Sequence, residues 1–182
     1  MLAGAFGMIA LALIAARLLG TPLAPMLKSS PVGLAAGVAA TAPLAALLFL
    51  LMRSTNVSVV KFRNDQLDFL FEIGFRLTPL RILAISLAAG VSEELVFRGV
   101  AQSWTHVHHG AIAALILPNI VFGLLHARNA IYATVAGLVG LYLGALFLIT
   151  GDLVAPIVTH AIYDYVALDF ARRALVERTE SD

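Results

Sequence analysis

The sequence predicts an all-α fold: a polytopic transmembrane helix bundle of about six spans, with an amphipathic interfacial helix between the second and the third. The 182-residue chain is 60% hydrophobic and only 13% charged, whereas soluble domains are about 45–50% apolar and roughly 25% charged. Its apolar residues occur in long runs, and a few ionisable residues recur inside three of those runs. Together these observations indicate an integral membrane protein.

The apolar runs give the positions of the helices, since a helix needs about 20 mostly apolar residues to cross a bilayer. Six segments reach or approach this length, and they are 2–19, 31–52, 79–104, 110–127, 130–150 and 153–170. Turns rich in Gly, Pro or Ser separate several of them, and Asp152 is placed to start the last helix. The first run has no Lys or Arg before it and no clear cleavage site, so we expect a retained helix rather than a signal peptide.

The segment 53–78 has a mixed composition that predicts an amphipathic helix in the plane of the membrane interface. Asp68, Glu72 and Arg76 are spaced four residues apart and share one helical face. Apolar residues such as Phe69 and Ile73 fall largely on the other face. We interpret this helix as a connector that packs on the bundle, and keep as the alternative a gate or a substrate-docking element.

The distribution of Lys and Arg predicts the orientation in the membrane, because cytoplasmic loops carry an excess of these residues. With six spans, the 53–78 segment, the 128–129 turn and both termini lie on one side. That side holds Arg53, Lys61, Arg63, Arg76, Arg81, Arg128, Arg172, Arg173 and Arg178. We therefore expect both termini in the cytoplasm, with a single helical domain at 1–170 and a polar tail at 171–182.

Composition also excludes several kinds of site. The chain has no cysteine, which rules out a thiol nucleophile, a disulfide framework and a cysteine-based zinc site. The sequence contains no cluster of basic residues that would suggest nucleic-acid binding. His106, His108 and His109 lie in a predicted loop, where we expect a hydrated polar surface rather than a metal site. We predict no cofactor and no metal.

The third predicted span contains Glu93, Glu94 and Arg98. Ionised groups inside a bilayer cost about 2.5–3.5 kcal/mol each on insertion scales, so they usually mark function. Glu94 and Arg98 are four residues apart, the spacing of a helical ion pair. Glu93 points about 100° away and lacks a partner in its own helix, which suits a general base. The alternative is that all three residues form one structural ion-pair network, but a single arginine is a poor way to neutralise two carboxylates.

Two further spans carry His126, His160 and Asp164. His160 and Asp164 share a helical face, so the carboxylate can orient the imidazole and stabilise its charged form. Each residue alone fits ordinary helix–helix hydrogen bonding. Ionisable groups from three spans should face inward together, and we expect a water-filled cavity on the cytoplasmic side. A shared water requires the Glu93 carboxylate and the His126 ring to approach within about 8 Å.

The polar residues resemble the motifs of the CPBP family of CAAX proteases and bacteriocin-processing proteins, also called the Abi family. The resemblance covers roughly residues 79–170, about half of the chain. Its three motifs occur in order, each on a predicted span, as Glu93-Glu94-x-x-x-Arg98, Phe122-x-x-x-His126 and His160-x-x-x-Asp164. Asp164 stands where the family commonly has Asn, and the chain is shorter than the larger members.

The resemblance implies an intramembrane endopeptidase that uses neither metal nor cofactor, with Glu93 as the base that activates water and His126 sharing that water. His160 and the residue at 164 would stabilise the oxyanion, while Glu94 and Arg98 would support the site. The substrate would be a membrane-associated peptide or the C-terminal part of a lipidated protein. Family distribution suggests a bacterial inner membrane.

Two other functions stay open at this stage. One is a non-catalytic member that binds a membrane partner in an immunity or scaffold role, which Asp164 and the short chain favour slightly. The other is an intramembrane metalloprotease with Glu93, His126 and His160 as zinc ligands, since two His and one carboxylate form a plausible catalytic set. A proton-coupled transporter has little support, because the chain shows no internal repeat.

Overall fold

The computed structural model describes residues 2–28, 30–72 and 77–181, and these residues form helices and no strands. The predicted all-α class is therefore confirmed. The helices are α1 (Leu2–Leu19), α2 (Pro31–Arg53), α3 (Val57–Glu72), α4 (Pro79–Glu94), α5 (Ser103–Leu125), α6 (Ala130–Thr150) and α7 (Val154–Ser181). A short 3₁₀ turn lies at Ala24–Met26, and a π-helical segment, Leu95–Gln102, joins α4 to α5.

Local sequence signals set the starts of three helices. Ser30 precedes α2 and its side chain accepts a hydrogen bond from the backbone N–H of Gly33. Thr78 caps α4 in the same way, and both helices begin with Pro, whose fixed φ and missing N–H suit the first helical position. Asn129 caps α6 by accepting from the N–H of Tyr132. These caps fix where the apolar runs become helical.

Four helices of the described chain are long and apolar enough to cross a membrane, and they are Leu2–Leu19, Pro31–Arg53, Pro79–Leu125 and Ala130–Thr150. The third of these contains two of the predicted spans. Gly110 interrupts it with φ 80° and ψ 174°, a left-handed backbone conformation that suits glycine. Arg98 bonds to Asn119, although a straight helix would place residues 21 apart about 32 Å from each other. The chain therefore turns back at Gly110.

The last helix differs from the other predicted spans because polar residues, among them His160 and Asp164, lower its hydropathy. α7 is not among the four helices that meet the length and hydropathy criteria. It continues beyond residue 170, through the segment expected to be a tail, as far as Ser181. Six membrane crossings thus stay a prediction, while the helical bundle itself is established.

α7 lies at the centre of the bundle and packs against α2 and α4. α1 covers α4 and the π-helical segment, and α5 packs on α6. Gly37 of α2 permits the close approach of α7, since a Cβ there would lie 2.6 Å from the carbonyl oxygen of Ala155. The hydroxyl of Thr159 donates to the Gly37 carbonyl at 2.9 Å. Small residues and interhelical hydrogen bonds are the usual means of helix association in membranes.

The predicted amphipathic helix is present as α3. Asp68 and Glu72 are exposed, as predicted, whereas Arg76 and Ile73 lie outside the described residues. Arg178 near the end of α7 bonds to Asp68 at 2.7 Å and to Asn64 at 2.9 Å. These contacts fasten α3 to the bundle, as expected of a connector. Its position at a membrane interface stays a prediction.

Candidate active site

Arg98 is the centre of a fully buried polar network. Its side chain and that of Glu94 are both 0% exposed and form the predicted ion pair at 2.9 Å. The guanidinium also donates to the side-chain oxygen of Asn119 at 3.1 Å and to the carbonyl of Gly140 at 2.7 Å. One arginine therefore joins the π-helical segment, α4, α5 and α6. π-helical turns are rare and are frequently found at functional sites. Residue periodicity did not predict this one.

Glu94 also connects the first polar motif to α7. The same oxygen that accepts from Arg98 lies 2.7 Å from Nδ1 of His160. An ionised carboxylate can only accept hydrogen bonds, so Nδ1 of His160 is the donor. This bond orients the ring, and the opposite nitrogen, Nε2, faces Glu93 and Asp164 at 3.9 and 3.5 Å.

Glu93 faces both imidazoles. Its Oε2 atom lies 3.7 Å from Nε2 of His126 and 3.9 Å from Nε2 of His160. These distances are well inside the limit of about 8 Å that a shared water sets. They exceed the range of a direct hydrogen bond, about 2.7–3.2 Å. The side chain of Glu93 is 18% exposed. The carboxylate and two ring nitrogens thus converge on one point.

His126 is held in place by its own helix. It follows the last residue of α5, and its Nδ1 lies 2.8 Å from the carbonyl of Phe122, which makes Nδ1 the donor. Nε2 is thereby directed toward Glu93. The ring of Phe122 lies beside that of His126, with centroids 4.3 Å apart, and packs edge-on against Phe97 at 4.9 Å. Phe122 thus supports the imidazole on one side.

A cavity of about 500 Å³ extends from this cluster to the region below α3. His126 and Asp164 line its inner end, and α2, α3, the 126–129 turn and α7 form its walls. Glu93 borders a separate apolar cavity of about 250 Å³ between α1 and α4, where Met8 and Ile85 also lie. A cavity beside the predicted catalytic groups is therefore present, on the side of α3 and its neighbouring arginines.

The predicted loop with His106, His108 and His109 is helical, since these residues lie in α5. In the part of the chain that the structure describes, no group of three or more His, Cys, Asp or Glu residues is arranged to hold a metal ion. In the histidine cluster, Nδ1 of His108 bonds to the carbonyl of Trp104 at 2.8 Å. The His108 ring stacks on that of Trp104, with centroids 4.4 Å apart.

Sequence reasoning missed two partners of Arg98. Asn119 is a polar residue within an apolar helix, seven positions before His126 and so on the same helical face. That spacing could have identified it. The other partner, Gly140, contributes only its backbone carbonyl, and the identity of a residue does not reveal such a role.

Comparison with known protein families gives one match. A family model described as "Type II CAAX prenyl endopeptidase Rce1-like" matches residues 75–166. This range includes all of the predicted site residues. No curated protein and no solved structure matches the chain significantly.

Proposed function

The chain belongs to the Rce1-like family of type II CAAX prenyl endopeptidases, and from this premise we propose that it is a glutamate-dependent intramembrane endopeptidase. It would hydrolyse a peptide bond in a membrane-associated or C-terminally modified protein. The observation that carries the proposal is the position of Glu93, whose carboxylate faces Nε2 of both His126 and His160 at 3.7 and 3.9 Å. A base and two polarising groups meet there at a partly buried point.

The proposed reaction begins with a water held between Glu93 and His126. Glu93 removes a proton from this water while the oxygen of the water attacks the scissile carbonyl carbon. A tetrahedral oxyanion forms. Collapse of this intermediate breaks the C–N bond, and Glu93 returns the proton to the departing amine. General acid–base catalysis of this kind contributes about 10²- to 10⁴-fold to a rate.

His160 and Asp164 are the proposed oxyanion partners. A protonated His160 would donate from Nε2, while Glu94 holds Nδ1 at 2.7 Å and fixes the ring. One oxyanion donor is worth about 2.7–4 kcal/mol in enzymes where it has been removed. An ionised Asp164 would repel the oxyanion, so this residue would act as the neutral acid or through His160, which lies 3.5 Å away.

The membrane context follows from composition. Four described helices are long and apolar enough to span a bilayer, which fits an integral membrane protein. We propose a bacterial inner-membrane location with both termini in the cytoplasm, because Lys and Arg concentrate on that side. The cavity beneath α3 would then open toward the cytoplasm, where the C-terminus of a lipidated protein arrives.

The function is tested by cleavage of a membrane-peptide library that includes prenylated members, with purified protein in nanodiscs. Wild type is compared with Glu93→Gln, the variant expected to be inactive, and each reaction is repeated with a strong zinc chelator. We expect cleavage by wild type that the chelator does not change. Loss with the chelator and recovery with zinc would instead support the metalloprotease.

A partner-binding role without catalysis is the second candidate, and Asp164 favours it because the family motif commonly ends in Asn. It predicts that wild type cleaves no library member and that Glu93→Gln keeps the cellular phenotype in full. Catalysis predicts loss of that phenotype. The phenotype thus separates the two functions even when the natural substrate is missing from the library.

The exchange Asp164→Asn tests the oxyanion role of this position. An amide can donate to an oxyanion without carrying negative charge, so we expect kcat to stay equal or to rise. The upper limit is the roughly 10²- to 10³-fold that one oxyanion donor supplies elsewhere. Asp169→Asn, on the same helix and paired with Arg172 at 2.7 Å, is the control for the change of charge. Complete inactivation by Asp164→Asn alone would show that the position acts as a carboxylate.

A further inference from the structure

The side chain of Arg128 lines the cavity beneath α3 and is held in place by its neighbours. Arg128 lies between two aromatic rings, with its Cζ atom 4.1 Å from the ring centre of Phe69 and 4.0 Å from that of Tyr132. It also donates a hydrogen bond to the side chain of Gln66. Within the described residues, Arg128 forms no ion pair with a carboxylate. Its position is therefore fixed while its charge is not neutralised by a direct partner.

Two other sources of positive charge lie near Arg128. Arg63 of α3 lines the same cavity and donates to the carbonyl of Met52, again without an ion pair among the residues described. Asn129, the next residue, caps the 21-residue helix α6. The N-terminus of a helix carries a partial positive charge that favours anions. This end of the cavity is thus electropositive.

One carboxylate also lines this cavity. Asp164 is the carboxylate among the described lining residues, and it faces His160 at 3.5 Å. Glu93 and Glu94 are not among the described residues that line it. A ligand in this cavity would therefore have its anionic end near Arg128 and its neutral part near His126. An apolar cavity with a few convergent polar groups is the usual form of a ligand site, and about 500 Å³ lies in the typical range.

The dimensions suit a short peptide. Arg128 is two residues from His126, so their Cα atoms are at most about 7 Å apart. An extended segment of three residues covers about 10 Å. A peptide whose scissile carbonyl lies beside Glu93 and His126 could therefore place its terminal carboxylate, three residues further along, within reach of the Arg128 side chain.

We propose that Arg128, assisted by Arg63 and the N-terminus of α6, binds the free C-terminal carboxylate of the substrate. The inference rests on the proposed function and adds a specificity-determining residue to it. The bound carboxylate sets the distance from the chain end to the cleaved bond. A C-a-a-X sequence is by definition C-terminal, so an anchor for the chain end would select such substrates over internal sequences.

The test uses two fluorescent peptides that carry S-farnesylcysteine followed by three residues, one ending in a free carboxylate and the other in an amide. The kcat/KM ratio of acid to amide is measured for wild type in nanodiscs. We expect a ratio of about 10 to 100, because hydrogen bonds to charged groups are the stronger class. Arg128→Gln should bring the ratio close to 1, through slower cleavage of the acid only. Arg128→Lys should give an intermediate ratio, since Lys keeps the charge and loses the planar fork.

Arg53→Gln is the matched control, because Arg53 is also exposed and stacked on a ring, 4.4 Å from the centre of Phe49, but lies outside the cavity. It should keep the wild-type ratio. A wild-type ratio of 1, or an unchanged ratio in Arg128→Gln, would overturn the proposal. Equal loss on both peptides would reduce Arg128 to a structural residue and overturn it too.

A binding measurement separates this inference from the proposed function. The dissociation constants of both peptides are measured with Glu93→Gln protein, with and without the added Arg128→Gln exchange. Preference for the acid that disappears with Arg128 supports the carboxylate site even where no cleavage occurs. Absence of binding, or equal binding of acid and amide, contradicts it, whereas absence of any Glu93-dependent cleavage contradicts only the proposed chemistry.

Discussion

Replacing Glu93 with Gln should lower kcat/KM for peptide cleavage by about 10²- to 10⁴-fold, the contribution of a general base, and leave the amount of folded protein unchanged. Glutamine has nearly the same shape and keeps the packing of α4. It loses only the basic oxygen that faces the two imidazoles at 3.7 and 3.9 Å. The change removes a charge from a partly buried site without leaving an opposite charge unpaired, because the arginine nearby is held by Glu94.

The measurement combines cleavage in nanodiscs with the thermal unfolding midpoint in detergent. Glu72→Gln is the matched control, since Glu72 is an exposed residue at the end of α3, and it should behave as wild type in both assays. Full activity of Glu93→Gln would remove the base from the mechanism, and a lowered midpoint would assign Glu93 to structure instead.

A double exchange tests whether Glu93 and His126 act on the same water. Groups that work as one unit are strongly non-additive, so removal of the second costs little once the first is gone. We therefore expect Glu93→Gln with His126→Ala to be about as slow as the slower single variant. Multiplied losses would show that the two residues contribute to separate steps.

The sequence predicted the helices more closely than the connections between their side chains. The ranges expected for the first and fifth spans, 2–19 and 130–150, agree with α1 and α6. Apolar length and capping residues determine such boundaries, and both are visible in the sequence. Gly110 likewise lies at the predicted start of a new span, and the chain turns there.

The bond from Glu94 to His160 could not be predicted, because it depends on how α4 and α7 rotate and tilt against each other. The i, i+4 rule identifies Arg98 as the partner of Glu94, but it describes one helix only. Contact of His160 with both glutamates arises from packing between helices. The π-helical segment that carries Arg98 also changes the register of side chains after Glu94, and periodicity arguments assume a uniform α-helix.

Replacing Arg98 with Ala should lower the abundance and the unfolding midpoint of the protein as well as its activity. The exchange leaves the carboxylate of Glu94 buried without its cation and removes the donor to Asn119 and Gly140. Loss of one partner of a buried pair costs about 3–5 kcal/mol. Most domains have only about 5–15 kcal/mol of net stability, so we expect a large loss of folded protein. Arg53→Ala, at the exposed end of α2, is the control and should accumulate normally.

The double exchange Glu94→Leu with Arg98→Met tests whether the ion pair only neutralises buried charge or is also required for catalysis. Replacement of a whole buried ion pair by apolar residues of similar volume is often neutral or stabilising, so abundance should recover in large part, although Asn119 and Gly140 still lack their donor. Activity should not recover, because His160 loses the carboxylate that holds Nδ1 at 2.7 Å, and its Nε2 is no longer fixed toward Glu93. Recovery of both properties would mean that the ion pair only neutralises charge. Recovery of stability alone would assign Glu94 to the orientation of His160, and would explain why a buried acid is kept beside the proposed base.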